Sequence, residues 1–333
     1  MKRLMQCWLV ILLTLAFAQA ALAVEQLNII STPFGTSTYV IGSAIEAIVN
    51  QNPQYGLKVN HTETPGQIFN LRKLNADKDA ARNTICAFSK STNWLAREGR
   101  KPFKQKGKTL MLIANCNVFS GWLVSEDPEL TTVESLAGKS IALGRIAQTV
   151  WGFVPSQLLK YGYDENLTEK ASIQFVGTKP AATALLDRQV DAAIIGGYFN
   201  PINKMFSPAP QTVEVMAAGR KLHHIPWGKA AVEKTDSIMK TGYLPMLIPA
   251  GTIDGMDEDI WSFTDNIAFG AMPDMPEELA YTITKAIIEH VDEFREYHNL
   301  GKLMSAEALV YGWPVSQIHP GALRAYKEAG ILK

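Results

Sequence analysis

The 333 residues carry 32 basic and 32 acidic side chains, a formal net charge of zero, and 47% hydrophobic residues. Such a balance, with one short basic cluster, argues against a nucleic-acid partner and against binding to an anionic membrane surface. Three cysteines in so long a chain exclude a disulfide framework.

Met1 to Ala23 joins a charged start at Lys2 and Arg3, an apolar core from Trp8 to Phe17 and the small-residue end Ala21-Leu22-Ala23. That is the pattern of a secretory signal peptide, with cleavage expected after Ala23, and its apolar core is shorter than the roughly 20 residues that a spanning helix needs. The chain is therefore expected to be exported. Without Lys2 and Arg3 the basic residues fall to 30 against 32 acidic ones, and without Cys7 only Cys86 and Cys116 remain. Both lie in apolar, strand-like segments, where two buried thiols and a single bridge are alternatives that the sequence leaves open. The length suggests two lobes.

Leu27 to Asn50 runs from a short apolar strand through a hydroxyl-rich loop around Gly35 into a segment whose apolar residues share one helical face from Ser37. The first turn of such a helix has backbone N–H groups without intrahelical partners and partial positive charge, so it attracts a carboxylate or phosphate. The same logic repeats: a strand at Leu57 to Asn60, a helix at Pro65 to Leu74, and a strand at Thr84 to Phe88 ending at Ser89. Strands alternating with helices predict a mostly parallel sheet, with ligands beyond the carboxyl ends of its strands. The basic run Arg97 to Lys108 reads as a solvated loop, interrupted as it is by proline and glycine. Leu110 to Ala114 and Trp122 to Val124 could be one long strand bending at Ser120-Gly121, as a connection between lobes requires.

A second series begins at Ser135: a strand at Ile141 to Leu143, a loop at Gly144 to Thr149, and a helix starting near Gly152 or Phe153 that ends before Gly162. Arg145 puts in this loop a fixed charge able to hold a carboxylate through two hydrogen bonds. Pro180 to Leu186 is a helix, and Asp191 to Ile195 a strand whose following Gly196-Gly197 pair lets a backbone or ligand approach closely. Asp257-Glu258-Asp259 reads as a helix start. The end of the chain is a strand at Ile267 to Gly270 and helices at Pro276 to His290 and Pro320 to Glu328. The six histidines fall in no metal-ligand spacing, and neither a nucleophile elbow nor a phosphate loop is present. No metal and no cofactor is expected.

In its order of strand, loop and helix, and in LAGKSIALG (136–144), DAAIIGG (191–197), LIPAGT (247–252) and above all HPGALRAYKEAG (319–330), the chain resembles the TAXI-type solute-binding proteins of tripartite ATP-independent periplasmic (TRAP) transporters. The resemblance covers essentially all of it after Ala23. It implies an α/β, two-lobed periplasmic binding protein fold of type II character, each lobe a mostly parallel sheet flanked by helices, joined by two hinge crossings. Residues 24–118 and 251–333 would form one lobe and 119–250 the other. It further implies a monomeric periplasmic receptor, not an enzyme, that passes a small organic solute, a carboxylate or amino acid, to TRAP membrane subunits. The loop from Thr32 to Ser37 departs from the family's glycine-rich one, and of the second-lobe loop only Thr149 and Gln148 are carried over.

Residues and resemblance together place Gly35, Thr36, Ser37, Tyr39 and Ser89 in the site from one lobe. Trp122, Arg145, Gln148, Thr149, Gly197 and Tyr198 are expected from the other. A periplasmic sensor on the same fold, or an exported enzyme, is the alternative; transport and sensing use the same closure.

Overall fold

The computed structural model describes residues 24–333, so the segment read as a signal peptide lies outside the described residues. Three strands, β1 (Glu25–Ile30), β2 (Leu57–Thr62) and β3 (Thr84–Ser89), pair in parallel as β2-β1-β3. They are linked by α1 (Ser37–Gln51) and α2 (Gln67–Ala76), and β3 leads into α3 (Lys90–Glu98). The apolar stripe of α1 is what makes it a helix here: Ile41, Ala44, Ile45, Ile48 and Val49 recur at 3.6-residue spacing and all are buried. Each large member of the stripe stabilises the fold by about 2 kcal/mol.

The chain then enters β4 (Met111–Ser125), buried at every position after Met111. At roughly 3.4 Å per residue this strand spans some ~50 Å. Beyond it lie β5 (Ser140–Leu143), α4 (Phe153–Tyr161), β6 (Ser172–Phe175), α5 (Thr178–Leu186), β7 (Ala192–Asn200), β8 (Met205–Pro208), α6 (Pro210–Ala217), β9 (His223–Ile225), α7 (Lys229–Met239) and β10 (Leu244–Ile248). The chain returns along β11 (Ile260–Ala271) and finishes with α8 (Glu277–Glu289) and α9 (Pro320–Glu328).

All strands belong to one sheet whose main path is β2-β1-β3-β11-β4-β7-β5-β6. Its outer parts are parallel and its centre is antiparallel: β11 pairs with both β3 and β4, and β4 with β7. The two long strands β4 and β11 thus carry the chain from one side of the sheet to the other and back. Among the described residues no helix is long and apolar enough to cross a membrane.

Differences from the sequence reading have local causes. The acidic run Asp257–Asp259 is not a helix start but part of the connection between β10 and β11. Gly255 turns the chain at φ 82°, Gly251 N–H reaches Met256 O at 2.8 Å, and Asp259 Oδ1 accepts from Ala250 N–H at 2.8 Å. Helix α2 starts at Gln67, because Gly66 before it sits at φ 137°. Strand β7 continues through Gly196-Gly197 to Asn200, since β4 and β8 pair with it there. Cys86 and Cys116 are free, buried thiols, both pushed well above the usual thiol range by burial. Strand β11 lies between β3 and β4, so the two strands that carry them are not neighbours.

Candidate functional site

The register of the central strands defines a floor. Ser89 faces Ile267, and Ile267 faces Asn117; Asp265 faces Phe119, and Phe119 faces Tyr198. Paired residues and those two apart along a strand share a face. Ser89, Asn117, Asp265, Phe119 and Tyr198 therefore lie on one side of the sheet, across β3, β11, β4 and β7.

The N-terminus of α1 stands over the Asn117 end of this floor. Thr36 is its N-cap residue, yet no side chain caps the helix. Thr36 Oγ1 donates instead to Pro33 O at 2.7 Å, and Thr32 Oγ1 joins it and Thr38 Oγ1 at 2.5 Å each. The first-turn N–H groups are thus not claimed by a side chain. Asn117 Nδ2 donates to Ser37 Oγ, while Asn117 Oδ1, fully buried, has no hydrogen-bond partner among the described residues. A buried acceptor left without a donor costs roughly 1–3 kcal/mol, which a ligand N–H or O–H would recover.

Helix α3 presents the opposite case. Ser89 caps it, accepting from Thr92 N–H at 3.3 Å, and the Asp265 carboxylate takes Ser91 N–H at 3.3 Å and the Ser91 hydroxyl. An internal carboxylate already occupies this helix N-terminus. Burial pushes the Asp265 carboxyl up to about 6, and the hydrogen bonds from Ser91 oppose that rise.

On the other side, Trp151 of the loop after β5 packs edge-on against Phe119, with ring centroids 4.5 Å apart, and Phe119 meets Tyr198 at 6.1 Å. Burial pushes the Tyr198 phenol up to about 12, so it is a neutral hydroxyl at any physiological pH. The loop is organised by its own backbone: Gly144 N–H reaches Trp151 O at 3.0 Å and Trp151 N–H reaches Gln148 O at 2.8 Å. Gln148 Oε1 accepts from Arg145 N–H at 3.0 Å and so spends its acceptor inside the loop. The Arg145 side chain is exposed, and Thr149 is buried ahead of α4.

Ser89 and Tyr198 thus lie on the floor, and Ser37, beside Thr36 at the end of α1, reaches it at Asn117. Gly35 is exposed at the turn before α1, at φ 78°. Tyr39 leans between Phe34 and His61, 5.1 Å from each ring. Trp122 is not on this floor: it is fully buried, and its indole N–H donates to His224 Nδ1 at 2.8 Å. Gly197 lies against β8, where a Cβ would stand 2.4 Å from Ser207 O and 2.5 Å from the Phe206 ring. A Gly197→Ala variant is expected to lose about 1–3 kcal/mol of stability in urea unfolding; a loss of solute affinity at unchanged stability would instead make Gly197 a ligand contact.

Asn117, Phe119, Trp151 and Asp265 escaped the sequence reading. A signal for the first exists: NCNVF puts polar amides into an otherwise apolar strand, and a bulge between them turns Asn115 to the face of Ala268 and Asn266 and leaves Asn117 on the floor with Ile267. Among the described residues no group of three His, Cys, Asp or Glu side chains could hold a metal ion.

A profile of the NMT1-like family matches residues 29–330. The chain belongs to the NMT1-like family. Of solved structures, a TctC solute-binding protein from Polaromonas superposes with a TM-score of 0.52 at 15% identity, covering 92% of this chain and 98% of that one. MatC from Rhodopseudomonas palustris, with bound malate, matches with a TM-score of 0.48 at 14% identity over 92% of this chain and 96% of its own. At 15% identity the TctC likeness speaks for the fold: this NMT1-like chain has the α/β fold of the solute-binding proteins, a curled mixed sheet with flanking helices.

Proposed function

We propose that the chain is a periplasmic solute receptor of the TAXI type. It captures a small carboxylate-bearing solute between two lobes, residues 24–118 with 251–333 and residues 119–250, and delivers it to TRAP membrane subunits without chemistry on the solute. The observation that carries this reading is the uncapped N-terminus of α1 beside the unpartnered amide oxygen of Asn117. Donors from the helix end suit a carboxylate, and the acceptor suits an amine or hydroxyl beside it. An amino or hydroxy acid supplies both. The strands β4 and β11 would be the hinge crossings, and Arg145, exposed in the second-lobe loop, would meet the anion on closure. Closure then depends on the solute, because only the closed form has contacts from both lobes.

Native mass spectrometry followed by a thermal-shift screen of amino acids, hydroxy acids, keto acids and dicarboxylates tests the reading. A solute at several hundred times its dissociation constant should raise apparent stability by roughly 3–4 kcal/mol. With that solute, Asn117→Leu should weaken binding about tenfold or more, by removal of a buried polar contact. Failure of every metabolite to shift the melting point would remove the receptor reading. Unchanged affinity in Arg145→Ala would remove that residue alone from the site.

A further inference from the structure

A second concavity lies away from the α1 end of the floor. Its cavity of 670 Å³ runs along one face of α3, that of Lys90, Trp94 and Arg97, and is closed on one side by the turn after α7 and on another by Gly312 to Gln317. The turn is built to face α3. Asp236 Oδ1 gathers the N–H groups of Thr241, Gly242 and Tyr243 at 3.1, 2.7 and 2.9 Å, and the Thr241 hydroxyl at 2.7 Å, which turns the carbonyls outward. Trp94 Nε1 donates to Met239 O at 2.6 Å, Arg97 to Lys240 O at 3.2 Å, and Lys90 Nζ to Gly242 O at 2.8 Å.

Lys90 is the unusual member. It is 5% exposed, and its two hydrogen-bond acceptors, Gly242 O and Gly312 O at 2.6 Å, are neutral carbonyls. An ammonium has three N–H donors, so one is left over. The acids whose charge reaches it, Asp265 and Asp236, are held by their own donors, Ser91 and the α7 turn. A charge withdrawn from water without a close counter-charge is costly, and an anion beside it offsets the cost. The rest of the cavity suits such an anion. Arg97, whose Nε also meets Glu98 Oε1 at 2.8 Å, and Lys240 bring positive charge to the rim, and the half-buried ring of Trp94 provides a flat apolar face, while buried Trp313 has Lys90 Nζ over its ring at 5.4 Å.

We propose that this groove is a second ligand site, distinct from the cleft at α1, and that it takes a small carboxylate with a flat apolar body. The carboxylate lies against Lys90 and the body against Trp94. Because α3 and the α7 turn come from the two segments assigned above to different lobes, an occupant touches both.

Benzoate and its neutral isostere benzamide are the probes, titrated into the full protein by calorimetry. Wild type should bind benzoate about tenfold or more tightly than benzamide, the scale of a charge-assisted contact. Lys90→Met should erase that preference and Arg97→Ala should reduce it about threefold. Asn117→Leu should leave it intact, which separates this site from the cleft. Equal affinity for the two probes overturns the proposal, as does benzoate binding that Asn117→Leu abolishes and Lys90→Met does not. If Lys90→Met does not fold, an unchanged preference in Arg97→Ala overturns it instead.

Discussion

Gly321→Ala is expected to destabilise the protein by about 3 kcal/mol or more, although it adds a single methyl group at the start of a good helix. Gly321 is the second residue of α9, where the chain crosses the first turn of α8. A Cβ there would lie 2.0 Å from Glu277 O and 2.8 Å from Tyr281 N. Both are backbone atoms of α8, which cannot rotate aside as a flexible side chain would. Relief requires α9 to lift, and α9 is tied to the central strand. His319 N–H donates to Leu112 O at 3.0 Å, and the Tyr326 hydroxyl to Ile113 O at 2.7 Å, both on β4. Lifting α9 therefore loosens the strand that carries Asn117. Gly35→Ala, at a left-handed turn with nothing within 4 Å of the new methyl, should cost only about 1 kcal/mol. Urea unfolding of both variants checks the contrast. A Gly321→Ala loss below that of Gly35→Ala would mean that the two helices have room to part.

That same segment shows what was legible in the sequence. Within HPGALRAYKEAG the sequence marks a helix from Pro320 to Glu328, and it is found there, with proline at its first position and His319 at its cap. The strands and helices of the outer sheet were equally readable, since periodicity is local and α1 buries the stripe that its spacing marks. The open end of α1 was visible as Ser31 to Ser37 for the same reason. The floor was not. It is assembled from Ser89, Asn117, Tyr198 and Asp265, which meet only because β11 inserts between β3 and β4 after a long excursion of the chain. Local patterns do not encode that insertion. Trp122 and Gly197 were chosen for residue type, and type does not say which face of a strand is turned to a neighbour. Trp122 pairs with Ile195, Gly197 with Pro208 of β8, and both are enclosed.

The pH dependence of stability should carry a signature of Asp265, the carboxylate that fills the N-terminus of α3. Its folded value is raised to about 6 from the ordinary 3.8, with burial as the main cause. Between these values the folded protein holds a proton that the unfolded chain has released. Stability then falls as pH rises, since it follows the difference in bound protons between the unfolded and folded states. The contribution is full below about pH 4, and is lost as pH passes 6, for a total of about 3 kcal/mol at 1.36 kcal/mol per unit. Asp265→Asn keeps an acceptor for the Ser91 hydroxyl and removes the titration. The stability of wild type minus that of Asp265→Asn, from urea unfolding, should therefore decline by about 3 kcal/mol between pH 4 and pH 7. Groups that Asp265 does not reach cancel in that difference, whereas Lys90, which it does reach, contributes to it as well. A difference that is flat, or that rises with pH, would mean that the hydroxyls and helix end around Asp265 hold it ionised as firmly as water does. In that event the N-terminus of α3 stabilises an anion better than its burial suggests.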